Sequence, residues 1–180
     1  LPDAIIEHES SSPYGLVQVI SSPVQRYAPG LSLNYTQVIR PAKVVFNNGN
    51  WFAAVPQKKL EGDSHVLDHT SMALPYILSE PAKVLIFHSG AGFEVGHALQ
   101  NKVDQVYGIE PNASVTDLVK GPYAAETDSL FFQPEVNISN TSPRTFLKQT
   151  DQEFDLVQLP LSGAFGGSVG LNALNEENLL

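Results

Sequence analysis

The chain contains no cysteine. That excludes disulfide staples, zinc–thiolate sites and a thiolate nucleophile. Cationic side chains are scarce: ten Lys and Arg stand against 19 Asp and Glu, for a formal net charge of -9 and a pI near 4.8. Phosphate backbones are bound by basic faces, so nucleic acid is not an expected partner. Long apolar runs are absent as well. None approaches the roughly 20 residues a membrane span needs, and no signal-peptide pattern is visible, so a cytoplasmic location is expected. The first residue is Leu1 rather than methionine, which reads as a fragment or a processed chain. The remaining composition is ordinary. A length of 180 residues with 42% apolar side chains suits one domain, or one domain with a small appendage.

The most informative stretch is Ala82–Pro111. An apolar run, Val84–Phe87, enters a Gly-x-Gly turn at Gly90 and Gly92. An amphipathic segment follows, and a second apolar run, Val103–Ile109, ends in Glu110, 20 residues after Gly90. This is the layout of a nucleotide-binding β-α-β unit: glycines let the backbone approach a ligand, and a carboxylate on the second strand can accept from ribose hydroxyls. One glycine is missing. A dinucleotide fingerprint needs glycine at position 95, which is Val95, and Gly96 is one place late. Glu94 in the first helical turn would also repel a phosphate. The expectation therefore moves from NAD(P) to S-adenosylmethionine or a relative, ligands without a pyrophosphate. Asn-x-Ser/Thr sequons stand at Asn34, Asn112, Asn137 and Asn140; they are discounted, because a glycan on Asn112 would crowd the pocket.

Before residue 61 the chain shows short β-type runs at Ile5–His8, Leu16–Ile20, Val38–Ile39, Val44–Phe46 and Trp51–Val55, separated by Ser-, Pro- and Asn-rich breakers. Asn48-Gly49 is a hairpin signal. Residues 1–60 are read as a small N-terminal β-element. A connector and short helix, with Asp68 or Thr70 as cap and Pro75 limiting its length, lead to Pro81. From residue 82 strands near 83–88, 103–109, 135–139 and 154–160 alternate with helices near 93–101, 112–120 and 143–149. Such alternation means parallel pairing. The expected fold is α/β: a Rossmann-like parallel sheet of class I methyltransferase type over residues 61–180. With four strands and the glycine-rich stretch after Pro160, the sheet is expected to be C-terminally truncated, its open edge met by another chain or by the tail.

The chain resembles the spermidine/spermine synthase (polyamine aminopropyltransferase) family. The resemblance runs through Ser12-Pro13-Tyr14, the stretch LPYILSEPAKVLIFHSGAGFEV, the stretch VYGIEPNASV and the stretch SPRTFLKQTDQEFDLVQLPL. The nearest variant is the spermidine-synthase-like domain often fused to membrane segments. The resemblance implies polyamine biosynthesis, with S-adenosylmethionine or its decarboxylated form as co-substrate, a cationic diamine as acceptor, and His88, Gly90, Gly92, Glu110 and Ser142 as cofactor-binding positions. It leaves a homodimer open. The departures are chemical. The family's Gly-Gly-Gly-Asp-Gly turn is His88-Ser89-Gly90-Ala91-Gly92 here, and the aspartate expected to contact the adenine amine is Ser142. Leu159-Pro160-Leu161-Ser162-Gly163 lacks the catalytic aspartate that follows the fourth strand. Attack by an amine on a carbon beside a sulfonium needs a base to take the amine proton, so no residue is assigned a catalytic role.

Other groups are weighed on their own chemistry. His88, at the end of the first core strand, could act as a base. Glu61, Asp63 and Asp68 could replace the missing acid, though a solvated acidic loop is the plainer reading. His65 and His69 with Asp63 and Asp68 do not make a firm metal site, and none is expected. Asp155 reads as a structural acid, Trp51 as hairpin core and Arg144 as structural. Three functions compete: an aminopropyl- or methyl-transferase using S-adenosylmethionine or its decarboxylated form, a degenerate binding or structural domain, and a NAD-linked oxidoreductase disfavoured by Val95.

Overall fold

Alternating β-branched residues make the first half of the chain a sheet. The computed structural model describes residues 2–58 and 64–160. Strands β1 (Ile5–Ser12), β2 (Gly15–Ser21), β3 (Val44–Asn47) and β4 (Asn50–Ala54) form an antiparallel sheet in that order. Val17 and Val19 of β2 and Val44 and Val45 of β3 are fully buried. Asn48 and Gly49 close the β3–β4 hairpin with φ of 50° and 75°, the left-handed pair that a two-residue hairpin turn favours. The Asn48 side chain fixes the neighbouring turn: its Oδ1 accepts from Leu16 N at 2.9 Å and its Nδ2 donates to Tyr14 O at 3.3 Å. The run Val38–Ile39 is not a strand. It lies in irregular backbone, and Val38 is 87% exposed; two β-branched residues without a sheet partner have no ladder to join.

Two short 3₁₀ turns, Val66–His69 and Ser71–Ala73, lead into α1 (Leu74–Ser79). His65 caps the first and Thr70 the second, through Oγ1 to Met72 N at 3.1 Å. Pro75 sits in the first turn of the six-residue α1, where its missing N–H costs nothing, and Glu80 ends the helix in the left-handed region.

The second half alternates: β5 (Lys83–Phe87), α2 (Phe93–Gln100), β6 (Gln105–Ile109), α3 (Ala113–Lys120), β7 (Val136–Ser139), α4 (Pro143–Gln149) and β8 (Leu156–Gln158). Its sheet has the order β7-β6-β5-β8, and every pairing is parallel. Asp155 anchors the start of β5, its Oδ2 accepting from Ala82 N at 3.0 Å and Lys83 N at 2.8 Å. That is the structural role the sequence suggested. The main hydrophobic cluster joins both halves, with Val17, Val19 and Val45 packed among Val84, Ile86, Val95, Val106 and Phe131.

Candidate functional site

The carboxyl ends of β5, β6 and β7 meet at one edge of the parallel sheet, where open α/β sheets bind their ligands. The turn after β5 has left-handed backbone at His88 (φ 49°), Gly90 (φ 53°) and Gly92 (φ 90°). Gly92 N donates to Ser89 O at 2.8 Å, and Ser89 N to Ile109 O at 3.1 Å, tying the turn to the end of β6. A side chain at Gly92 would run into Phe131 at 2.5 Å and Leu130 at 2.9 Å. The glycine thus lets those two side chains press onto the turn. Gly96 is different: a Cβ there meets nothing within 4 Å, while Val95 is fully buried in the core. The helix therefore packs through a valine where a dinucleotide motif would place its third glycine.

Glu110 directly follows β6 and is 1% exposed. Its Oε2 accepts from Gly90 N at 3.0 Å and its Oε1 from Asn112 N at 2.8 Å. Burial pushes its carboxyl up to about 7, against those two backbone donors, which favour the ionised form. A carboxylate has about four acceptor positions, so two remain. Beside it, Ser89 Oγ and Asn112 Nδ2 are buried with no hydrogen-bond partner among the described residues. Buried polar atoms are ordinarily partnered. A carboxylate with spare lone pairs can accept from ribose hydroxyls, and a serine hydroxyl and an amide N–H can donate to their oxygens, so the chemistry of these side chains fits a nucleoside. Asn112 also caps α3 through Oδ1, which accepts from Ser114 N at 3.2 Å.

Of the five positions expected to bind cofactor, Gly90 and Glu110 are joined directly, and His88 and Gly92 belong to the same turn. Ser142 stands apart. It is exposed, and its hydroxyl caps α4 by accepting from Thr145 N at 3.1 Å. Two residues before it, Asn140 does reach the site: its Nδ2 donates to Glu110 O at 2.9 Å and to Thr116 Oγ1 at 3.0 Å. Ser89, Asn112 and Asn140 were not singled out from the sequence as site residues. The signal available was their position, one to three residues beyond a strand end.

A small cavity of about 20 Å³ adjoins the turn, between it and the β3–β4 hairpin; its wall includes Tyr27, Trp51, His88, Gly90, Glu94 and Pro160. Glu94 is buried, and burial pushes its carboxyl up to about 7, although its own backbone N–H and the Tyr27 hydroxyl favour the charged form. Trp51 stacks on Tyr27 with centroids 5.2 Å apart, so it belongs to the packing of the hairpin against this region, as the sequence implied. Asp68 does not join a histidine cluster with His65 and His69. Its Oδ2 accepts from His65 N at 3.0 Å, and its Oδ1 meets His97 Nε2 at 3.0 Å. His97 is fully buried, and burial lowers its pKa despite Asp68. His69 instead meets Ser64 Oγ at 3.0 Å. Glu61, Asp63 and residues 161–180, with the Leu161–Gly163 part of the segment lacking an acid, lie outside the described residues.

This is the class I methyltransferase-like fold in the form found in spermidine synthases. A spermidine synthase in complex with the transition-state analogue AdoDATO superposes with a TM-score of 0.59 at 17% identity, over 88% of this chain and 48% of its own. Spermidine synthase from Thermotoga maritima gives a TM-score of 0.60 at 16% identity, over 87% and 47%. In sequence, a polyamine aminopropyltransferase from Korarchaeum cryptofilum (strain OPF8) is 28% identical over 105 residues, 57% of this chain and 33% of the relative. No family model matches. The chain is thus spermidine synthase-like, and it spans about half the length of the solved structures and a third of the curated relative it matches.

Proposed function

We propose that this spermidine synthase-like domain binds S-adenosylmethionine or its decarboxylated form across the glycine turn and is at most a poor aminopropyltransferase. The observation that carries the binding is the group formed by Glu110, Ser89 and Asn112: two spare acceptor positions and two buried polar atoms without a hydrogen-bond partner among the described residues, at the carboxyl ends of adjacent parallel strands. When bound, such a nucleoside supplies an electrophilic carbon beside a sulfonium. Glu110 would hold the ribose while keeping the turn folded through Gly90. A diamine acceptor needs a base, and the chain offers no carboxylate from Leu159 to Gly163. Weak or absent transfer is the consequence.

The test is calorimetric titration with S-adenosylmethionine, its decarboxylated form and NAD. One of the sulfonium nucleosides should bind, and NAD should not. Glu110→Gln should weaken that binding by about 1–3 kcal/mol, the scale of a charge-assisted hydrogen bond; unchanged affinity removes the ribose assignment. Turnover of putrescine with the decarboxylated nucleoside should stay far below about 1 s⁻¹, the low end of ordinary enzymes. The second reading, a ligand-binding or structural domain without chemistry, is favoured by the packing of Leu130 and Phe131 onto Gly92. Failure of every nucleoside to bind would leave the structural form of it standing.

A further inference from the structure

A larger cavity, of about 220 Å³, shares Tyr27 and Phe93 with the small one beside the glycine turn. It opens between the loop of residues 35–42 and residues 64–66. Protein bonds hold that loop in place. Ser32 N donates to His69 O at 2.9 Å, Ala42 N donates to Gln25 O at 3.0 Å, and Gln57 Nε2 donates to Pro41 O. The wall is therefore formed before a ligand arrives, which lowers the ordering cost of binding.

Charge and shape together select what fits. The chain has 19 acidic residues, yet none of the described residues lining this cavity is Asp or Glu. Arg40 supplies a fixed positive charge there. Its planar fork of five donors matches a carboxylate and can serve a ligand together with a protein partner. His65 Nδ1 accepts from Leu67 N at 3.2 Å, so the ring carries its proton on Nε2, a further donor. The rest of the wall is aromatic and apolar. Tyr27, Tyr35, His65 and Phe93 line it, His65 and Phe93 meeting edge to face at 4.9 Å. Val55 and Ala42, at 2% and 9% exposed, close the apolar side. Such rings receive another ring in stacked or edge contacts. About 150 Å³ is enough for benzene, so this cavity takes one ring and a short arm. We propose that it binds a small aromatic carboxylate, the ring among Tyr27, Tyr35 and Phe93 and the acid on Arg40. The site goes beyond the nucleoside reading and does not rest on it. It also gives the run Val38–Ile39 a place, as the apolar lip that a bound ring would cover.

The experiment titrates the whole chain with phenylacetate and follows backbone amides by NMR, with no nucleoside present. Saturable shifts are expected at residues 35–42 and 64–66. Their Kd should be near or below about 1 mM, the ordinary scale for a ligand of about ten non-hydrogen atoms. Phenethylamine keeps the ring and replaces the acid with a cation, so it should bind about tenfold more weakly or worse. Acetate, which lacks the ring, should give no saturable shift at the same concentrations. Arg40 is exposed, so Arg40→Gln is expected to fold, and the variant should bind phenylacetate about tenfold more weakly or worse. No saturation by about 10 mM, shifts confined to the glycine turn, or equal binding of the amine overturns the site. Unchanged affinity in a folded Arg40→Gln variant overturns it too. Should circular dichroism show that variant unfolded, the comparison of phenylacetate with phenethylamine on the wild type decides alone.

Discussion

Glu94 and Glu110 are two carboxyls from which folding removes water, and that sets a sign for pH dependence. Burial raises each to about 7 from an ordinary 4.5. A raised carboxyl stabilises the fold fully below its unfolded value and loses that contribution as pH climbs through the folded one. Each should therefore weaken folding by about 3 kcal/mol between pH 4.5 and pH 8. Thermal melts should show Tm falling across that range, and Glu94→Gln should flatten the fall. A wild-type Tm that rises steadily from pH 5 to pH 8 would show that neither carboxyl is held neutral. The nearness of Gly90 and Glu110 was legible in the sequence, because both belong to one β-α-β unit; the direct bond between Gly90 N and the Glu110 carboxyl was not. Nor was the meeting of Glu94 with Tyr27 and Trp51. It joins a helix to a loop and a hairpin from the other sheet, and no spacing along the chain encodes it.

Among the elements, the β5–α2 turn is the most sensitive to change. Gly92→Ala would place a Cβ against Phe131 and Leu130 in left-handed backbone. Strain of about 1–2 kcal/mol and overpacking of about 1–3 kcal/mol should together destabilise the protein by roughly 2–5 kcal/mol in urea denaturation. Gly96→Ala, in open space within α2, should instead stabilise by up to about 1 kcal/mol. Equal effects at the two positions would contradict the packing described. The core strands could be read from the sequence because buried parallel strands are continuous apolar runs, as Val84–Phe87 is. Val38–Ile39 was misread because the same residue types, without a partner strand, only form an exposed loop. Asp68 and Thr70, expected to cap the short helix, instead serve the two 3₁₀ turns before it, and α1 follows Ala73 without a side-chain cap, because such short turns carry no helical period to read.

Across the whole molecule, Lys43 bridges the two halves. Its Nζ lies 2.7 Å from Glu7 of β1 and 2.8 Å from Glu126 beyond α3, and sits over the Tyr123 ring at 5.1 Å. Partly exposed ion pairs contribute little each. The shared cluster of Val17, Val45, Val84 and Phe131 is therefore what couples the sheets. Unfolding should be a single transition, with Trp51 fluorescence reporting the first sheet and far-ultraviolet circular dichroism reporting the helices at the same midpoint; separated midpoints would show two independent units. The two buried carboxyls also bear on handling in solution. Acidic buffer near pH 5 is where they favour the native state most, and it is also where a chain of pI near 4.8 carries almost no net charge. Molecules that do not repel one another associate and precipitate. The medium in which these two carboxyls favour the fold most is thus the medium in which a concentrated sample is least able to stay dispersed.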